Sequence, residues 1–288
     1  MERHFLLTVG DEMSSNHGLR FISQFFTDRS EIKVTLLYIA VPLPVRVKPS
    51  GPGKAVMDSS LHGQRAQKGN AELAKSRHFL IDQGFLEANI FSKLADKRFG
   101  TVQDIIHEAC RGHYDAAVLG RRGYAVFEQL LATSVTREIL EQEIDFPLWI
   151  CRMPAEGRRH VLLCVDETEP SLRIADHVGF ILGQEKGHGV TLFHVDTGEM
   201  KNVQRVFDLP KEQLLRNGVS TERITTRLIR APRIARTILE EAERGEYAVV
   251  AMGHGSKEPQ GIFQKWLLGS MSMKLLEELE KAVLWVSR

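Results

Sequence analysis

The sequence predicts an α/β fold of two tandem doubly wound domains, each a five-stranded parallel sheet with flanking helices, with boundaries at 1–154 and 155–288. Three observations carry this expectation. The first is length, because 288 residues suit about two domains of roughly 100–200 residues each. The second is internal repetition. His4-Phe5-Leu6-Leu7-Thr8-Val9 matches His160-Val161-Leu162-Leu163-Cys164-Val165 at an offset of 156, and Val34-Thr35-Leu36-Leu37-Tyr38-Ile39 matches Val190-Thr191-Leu192-Phe193-His194-Val195 at the same offset. The third is alternation: short β-branched runs are separated by amphipathic stretches, the signature of successive βαβ units.

In chain order, the first copy reads as strands near 4–9, 32–40, 88–94, 114–119 and 147–152, with helices near 16–27, 69–84, 101–112 and 124–142. The second reads as strands near 160–165, 189–195, 223–229, 247–252 and 282–287, with helices near 169–183, 199–216, 232–244 and 262–280. The fourth strands match best by ending on a shared glycine, Gly120 with Gly253, an offset of 133. The first copy therefore carries 23 extra residues (156 minus 133), placed in Val45 to Gly69, whose Pro, Gly, Ser and Lys content reads as a surface loop. The last strands, Leu148-Trp149-Ile150-Cys151-Arg152 and Leu284-Trp285-Val286-Ser287-Arg288, match at 136, so three further residues precede the last helix of the second copy.

Composition narrows the class of function. With 43% hydrophobic and 26% charged residues and no apolar run near the ~20 residues of a spanning helix, no membrane passage is expected. Thirty-eight basic against 37 acidic side chains leave a net charge of +1, so no global field draws nucleic acid or anionic lipid. A small molecule or a protein is the expected partner. Charge lies directly against the first short apolar strand, unlike a secretory leader, and a cytoplasmic location follows as an expectation. Cys110, Cys151 and Cys164 sit apart in apolar patterns and read as small buried hydrophobes rather than a disulfide or zinc framework.

Ligands of open parallel sheets bind beyond the carboxyl ends of the strands, where strand order reverses. There the first copy has Val118-Leu119-Gly120-Arg121-Arg122-Gly123 and then Thr133-Ser134-Val135-Thr136. Glycines let main-chain amides approach an anion, a following helix adds partial positive charge, and the hydroxyls can donate to phosphate oxygens. The second copy has Met252-Gly253-His254-Gly255-Ser256 and then Leu268-Gly269-Ser270.

These residues resemble the universal stress protein family, and the two copies resemble its tandem members, over nearly the whole chain. The resemblance implies an adenine nucleotide alpha hydrolase-like fold and binding of ATP or another adenine nucleotide, with Mg, in members that keep the motif. It also implies that the final strands, Leu148-Trp149-Ile150 and Leu284-Trp285-Val286, pair across a pseudo-twofold interface and protect each other's edges, an intramolecular pseudo-dimer, with a homodimer as a further option. That motif is glycine, two residues, glycine, nine residues, then glycine with serine or threonine. It is joined by an aspartate ending the first strand and hydrophobic residues after the second. Carried over, the first copy supplies Gly120, Gly123, Thr133 in place of the distal glycine, Ser134, and Ala40 after the second strand. Its first strand ends Val9-Gly10-Asp11, so Asp11 stands one position off, where neighbouring side chains point opposite ways. The second copy supplies Asp166, Val195, Gly253, Gly255, Gly269 and Ser270, but three extra residues and Pro259 alter its proximal loop, and Pro259 removes an amide donor.

Several residues have bland readings. Arg121 and Arg122 are solvated loop cations as readily as phosphate ligands. His107-Glu108 and His113 are six apart where a zinc helix needs four. His194 is either an adenine contact or a strand-end histidine, His177 is a surface or packing residue, and Met271 and Met273 are core. No triad, Walker loop or cysteine pair stands at a useful spacing, so no catalytic residue is assigned and any ATP hydrolysis is expected to be slow and incidental. The main expectation is a nucleotide-binding stress-response protein. The alternative is a degenerate, non-nucleotide-binding member acting as a partner-binding or structural module. A third class, a lyase or ligase on the same fold, would have to use Asp11, Asp166 or His194.

Overall fold

A computed structural model describes residues 2–10, 16–40, 59–120, 146–198, 203–253 and 270–287. The strands of the first half are β1 (Arg3–Val9), β2 (Ile32–Ala40), β3 (Ile90–Asp96), β4 (Ala116–Gly120) and β5 (Leu148–Cys151). Those of the second are β6 (Val161–Cys164), β7 (Val190–Asp196), β8 (Ile224–Arg230), β9 (Val249–Gly253) and β10 (Val283–Ser287). The helices are α1 (His17–Phe25), α2 (Ser59–Asp82), α3 (Thr101–Gly112), α4 (Glu169–Leu182), α5 (Asp208–Arg216), α6 (Ile234–Arg244) and α7 (Ser270–Glu278).

The strands form one ten-stranded sheet in the order β3-β2-β1-β4-β5-β10-β9-β6-β7-β8. Each half is parallel throughout and shows the same reversal of strand order, between β1 and β4 in one and between β6 and β9 in the other. The central strands are covered on both faces, which is why β4 is buried along its whole length and reads as a continuous apolar run. The outermost strands β3 and β8 are mostly exposed or half-buried and carry Lys93 and Arg227. One core lies between the sheet and α1, α2, α4 and α5, where Leu19, Leu73, Ile174 and Leu214 are buried. The other lies beneath α3, α6 and α7, where Ile105, Ile238 and Leu275 are buried.

The halves join through β5 and β10, which pair antiparallel with Trp149 opposite Trp285. The two indoles stack at 4.1 Å between centroids and 7° between planes, and neither ring is accessible to solvent. Such large flat surfaces contribute both buried area and ring–ring attraction. The Trp149 indole N–H donates to His177 Nε2 at 3.0 Å, which makes His177 a buried packing residue of the join. A second link crosses the halves: Arg3 Nη1 donates to Glu185 Oε1 at 3.1 Å and to the Ile181 carbonyl at 3.0 Å. Glu185 Oε2 also accepts from the Thr27 amide at 3.0 Å and hydroxyl at 2.6 Å. With side chains 2% and 0% exposed, the Glu185 carboxylate is met by Arg3 and Thr27 and Arg3 Nη1 by two acceptors, while the buried Arg3 Nε has no hydrogen-bond partner among the described residues.

Two expectations from sequence need correcting. The stretch ending at Gly69 is not loop throughout, because α2 begins at Ser59. Gly69 looks like a breaker but is a close-packing residue, since a Cβ there would lie 2.6 Å from Leu94 Cδ1 and 2.9 Å from Tyr38 Cδ1. Cys110 is exposed, whereas Cys151 is buried and Cys164 partly so. The helix expected near 124–142 lies outside the described residues. The one expected from 199 is described as a 3₁₀ turn, Val203–Phe207, leading into α5.

Candidate functional site

The residues singled out by sequence divide between the two reversal points. Gly120 closes β4, is buried, and pairs with Cys151 of β5. Ala40 closes β2 and is 8% exposed, and its carbonyl accepts from the Lys97 amide at 3.0 Å. Asp11, Gly123, Thr133, Ser134, Gly255 and Gly269 lie outside the described residues. In the second half, Asp166 follows β6, Val195 and Asp196 end β7, Gly253 ends β9, and Ser270 opens α7.

Asp166 is exposed, and its carboxylate shapes the entry to α4. Its Oδ1 accepts from the Thr168 amide at 2.9 Å and from the Thr168 hydroxyl, while its own amide donates to Ser171 Oγ at 3.0 Å. This is the local side-chain bonding that short acidic residues supply ahead of a helix. Gly253 lies against that same helix entry. A Cβ at this position would lie 2.3 Å from the Pro170 carbonyl carbon and 2.5 Å from the Ser171 amide nitrogen. Only glycine permits that approach, so packing alone explains this residue. The geometry therefore brings the ends of β6 and β9 together with the amino end of α4, one carboxylate and one bare stretch of main chain.

The register shows which positions correspond. Ala40 pairs with Asp96 across β2 and β3, and Asp196 pairs with Arg230 across β7 and β8. The Asp196 carbonyl accepts from the Ala231 amide at 3.0 Å, the same bond that Ala40 makes with Lys97. Ala40 thus corresponds to Asp196, while Val195 is 6% exposed within the sheet. Asp196 Oδ1 accepts from the Gly198 amide at 2.7 Å. The Arg230 guanidinium lies over Gly198, where a Cβ would come within 2.9 Å of Nη2. Sequence reasoning missed Asp196 and Arg230 because it ended both strands one residue early. The shared offset of 156 between the second strands was the signal that could have found Asp196.

His194 sits near the end of β7 with Nδ1 2.7 Å from the Val165 carbonyl. A carbonyl only accepts, so Nδ1 carries the proton. Asp166 and His194 are therefore both engaged with neighbouring main chain. His177 lies in the join, away from either reversal point. Among the described residues no group of three or more His, Cys, Asp and Glu side chains could hold a metal ion, and no helix is long and apolar enough to cross a membrane.

Comparison with known proteins gives these observations a context. Residues 157–287 match the Universal stress protein family. The whole fold is similar to a universal stress protein from Archaeoglobus fulgidus, with a TM-score of 0.67 at 17% identity, covering 99% of this chain and 96% of the other. A functionally unknown protein from Pseudomonas aeruginosa PAO1 superposes with a TM-score of 0.51 at 14% identity, covering 99% of this chain and 92% of the other. No curated protein sequence matches the chain. At these identities the likeness establishes the fold.

Proposed function

We propose that this chain, whose residues 157–287 match the universal stress protein family, binds an adenine nucleotide at a strand-end crevice of at least one half. In this reading 1–154 and 155–288 are two domains joined as an intramolecular pseudo-dimer through β5 and β10, acting in the cytoplasm in a stress response. The observation that carries the proposal is the second reversal point, where Asp166 follows β6, Gly253 ends the neighbouring β9 and Ser270 opens α7. Ribose hydroxyls would donate to Asp166, the purine would rest at the end of β7 by Val195 and Asp196, and phosphates would meet main-chain amides of Gly253, Gly255 and Gly269 and the Ser270 hydroxyl. In the first half Asp11, Ala40, Gly120, Gly123, Thr133 and Ser134 would take the same parts. ATP with Mg is the expected form, and hydrolysis is incidental.

The test is thermal unfolding with ATP-Mg and with AMP. Nucleotide at about 100 times its dissociation constant stabilises the native state by about 2.7 kcal/mol. Asp166→Ala should weaken binding by about tenfold, or about 1.4 kcal/mol, if the second half is occupied. Absence of any shift with millimolar nucleotide, and of nucleotide in freshly purified denatured protein, would overturn the reading.

A second reading is favoured by one pair of observations: Gly253 is required by the approach of α4, and Asp166 Oδ1 is occupied by Thr168. Both residues then serve the scaffold, and the chain is a partner-binding or structural module. Stability unchanged by nucleotide would support this reading.

A further inference from the structure

A cleft of about 260 Å³ opens between α1 and the segment that leaves β5, lined by His17, Arg20, Gln24, Met153, Pro154 and Glu156. Both walls are fixed. On one side Leu19, Phe21, Ile22 and Phe25 bury the opposite face of α1 in the core. On the other, Arg152 donates to the Leu276 carbonyl at 3.1 Å and the Ala155 amide donates to the Lys281 carbonyl at 2.9 Å, tying the segment to the second half.

Arg20 and Glu156 face this one cleft, yet among the described residues neither has an ion-pair partner and they do not pair with each other. Opposite charges on facing walls that do not close on each other leave room for a molecule carrying both complementary charges. Met153, 52% exposed, and Pro154 add an apolar patch beside them. The volume is below the roughly 300–1,000 Å³ of sites for drug-sized ligands, which limits the occupant to a small one.

We propose that this cleft binds a small zwitterion of the α-amino acid class. Its carboxylate lies on the Arg20 guanidinium, near His17 and the amino end of α1, its ammonium on Glu156, and its apolar side chain against Met153 and Pro154. Arginine suits the carboxylate because its planar fork bonds two oxygens at once. Neither Arg20 nor Glu156 belongs to the nucleotide proposal.

The experiment is a titration of the full chain, labelled at methionine methyls, with L-leucine up to about 10 mM, a range that detects millimolar dissociation constants. The expected result is a saturable shift of the Met153 methyl. Isovalerate and isoamylamine, each keeping the side chain and one charge, should bind the unaltered protein at least about tenfold more weakly. Arg20→Ala and Glu156→Gln should each weaken L-leucine by a similar factor, while unfolding temperature stays unchanged because both side chains are exposed. Three results would overturn the proposal: no saturable shift, equal affinity for a singly charged analogue, or binding that survives both substitutions. None of them bears on whether ATP binds.

Discussion

Lowering the pH from about 7.5 to about 5 should cost this protein close to 2 kcal/mol through His177 alone. Burial drives the His177 pKa from 6.5 down to about 3, and its Nε2 must stay unprotonated to accept from Trp149. In the unfolded chain the same imidazole takes up a proton near pH 6.5. A base whose folded pKa is depressed contributes full stability above its unfolded value and loses it as pH falls toward the folded one. Each pH unit in that window costs about 1.4 kcal/mol, so the 1.5 units from 6.5 to 5 give about 2 kcal/mol. Burial lowers the pKa of His188 as well, so the observed slope should exceed that of one proton. The comparison that isolates His177 is His177→Gln, which keeps an acceptor for the indole N–H but does not titrate. Urea unfolding followed by tryptophan fluorescence at the two pH values reads the difference, and the variant should lose about 2 kcal/mol less than the wild type. Equal losses in the two proteins would show that His177 is protonated in the folded state or opens to solvent, and the reasoning would fail.

Two other substitutions probe the packing. Gly253→Ala places a methyl 2.3 Å from the Pro170 carbonyl carbon, and the forced shift of α4 should cost about 1–3 kcal/mol, seen as a lower unfolding temperature; an unchanged temperature would show that the approach is looser. Arg3→Met removes the partner of the fully buried Glu185 and should cost about 3–5 kcal/mol. Adding Glu185→Gln, which removes the charge but keeps an acceptor for Thr27, should recover much of that loss, and a simple sum of the two single effects in a double-mutant cycle would contradict the coupling.

The fold was legible where a regular pattern repeats. The offset of 156 shared by His4–Val9 and Val34–Ile39 located the two leading strands of each half, and the matching Leu-Trp segments located the last strand of each, whose pairing the family resemblance implied. What sequence hid has physical causes. Gly69 resembles a helix breaker until the neighbours that need its missing side chain are known. Arg3 and Glu185 stand 182 residues apart, and no periodicity connects them. Ending β7 one residue early exchanged Val195 for Asp196, and because side chains alternate across a strand, that slip moves attention from one face of the sheet to the other. Of the candidate positions, Gly120 and Gly253 follow from the repeat offset as strand-ending glycines, while Ala40 and Asp166 came from the family resemblance. The role of Gly253 against α4 depends on tertiary proximity that counting does not reveal.

The β5–β10 seam also changes what dilution can do. Two separate subunits meeting through such a seam would be held by mass action and would part at low concentration. Here the meeting is unimolecular, so the stacked indoles persist however scarce the protein becomes, and the two crevices are always supplied in equal number. The covalent tether also relaxes a constraint of self-association, in which every substitution is imposed on both partners at once. Each half can change alone, as the unlike pairs Ala40–Asp96 and Asp196–Arg230 at corresponding places illustrate.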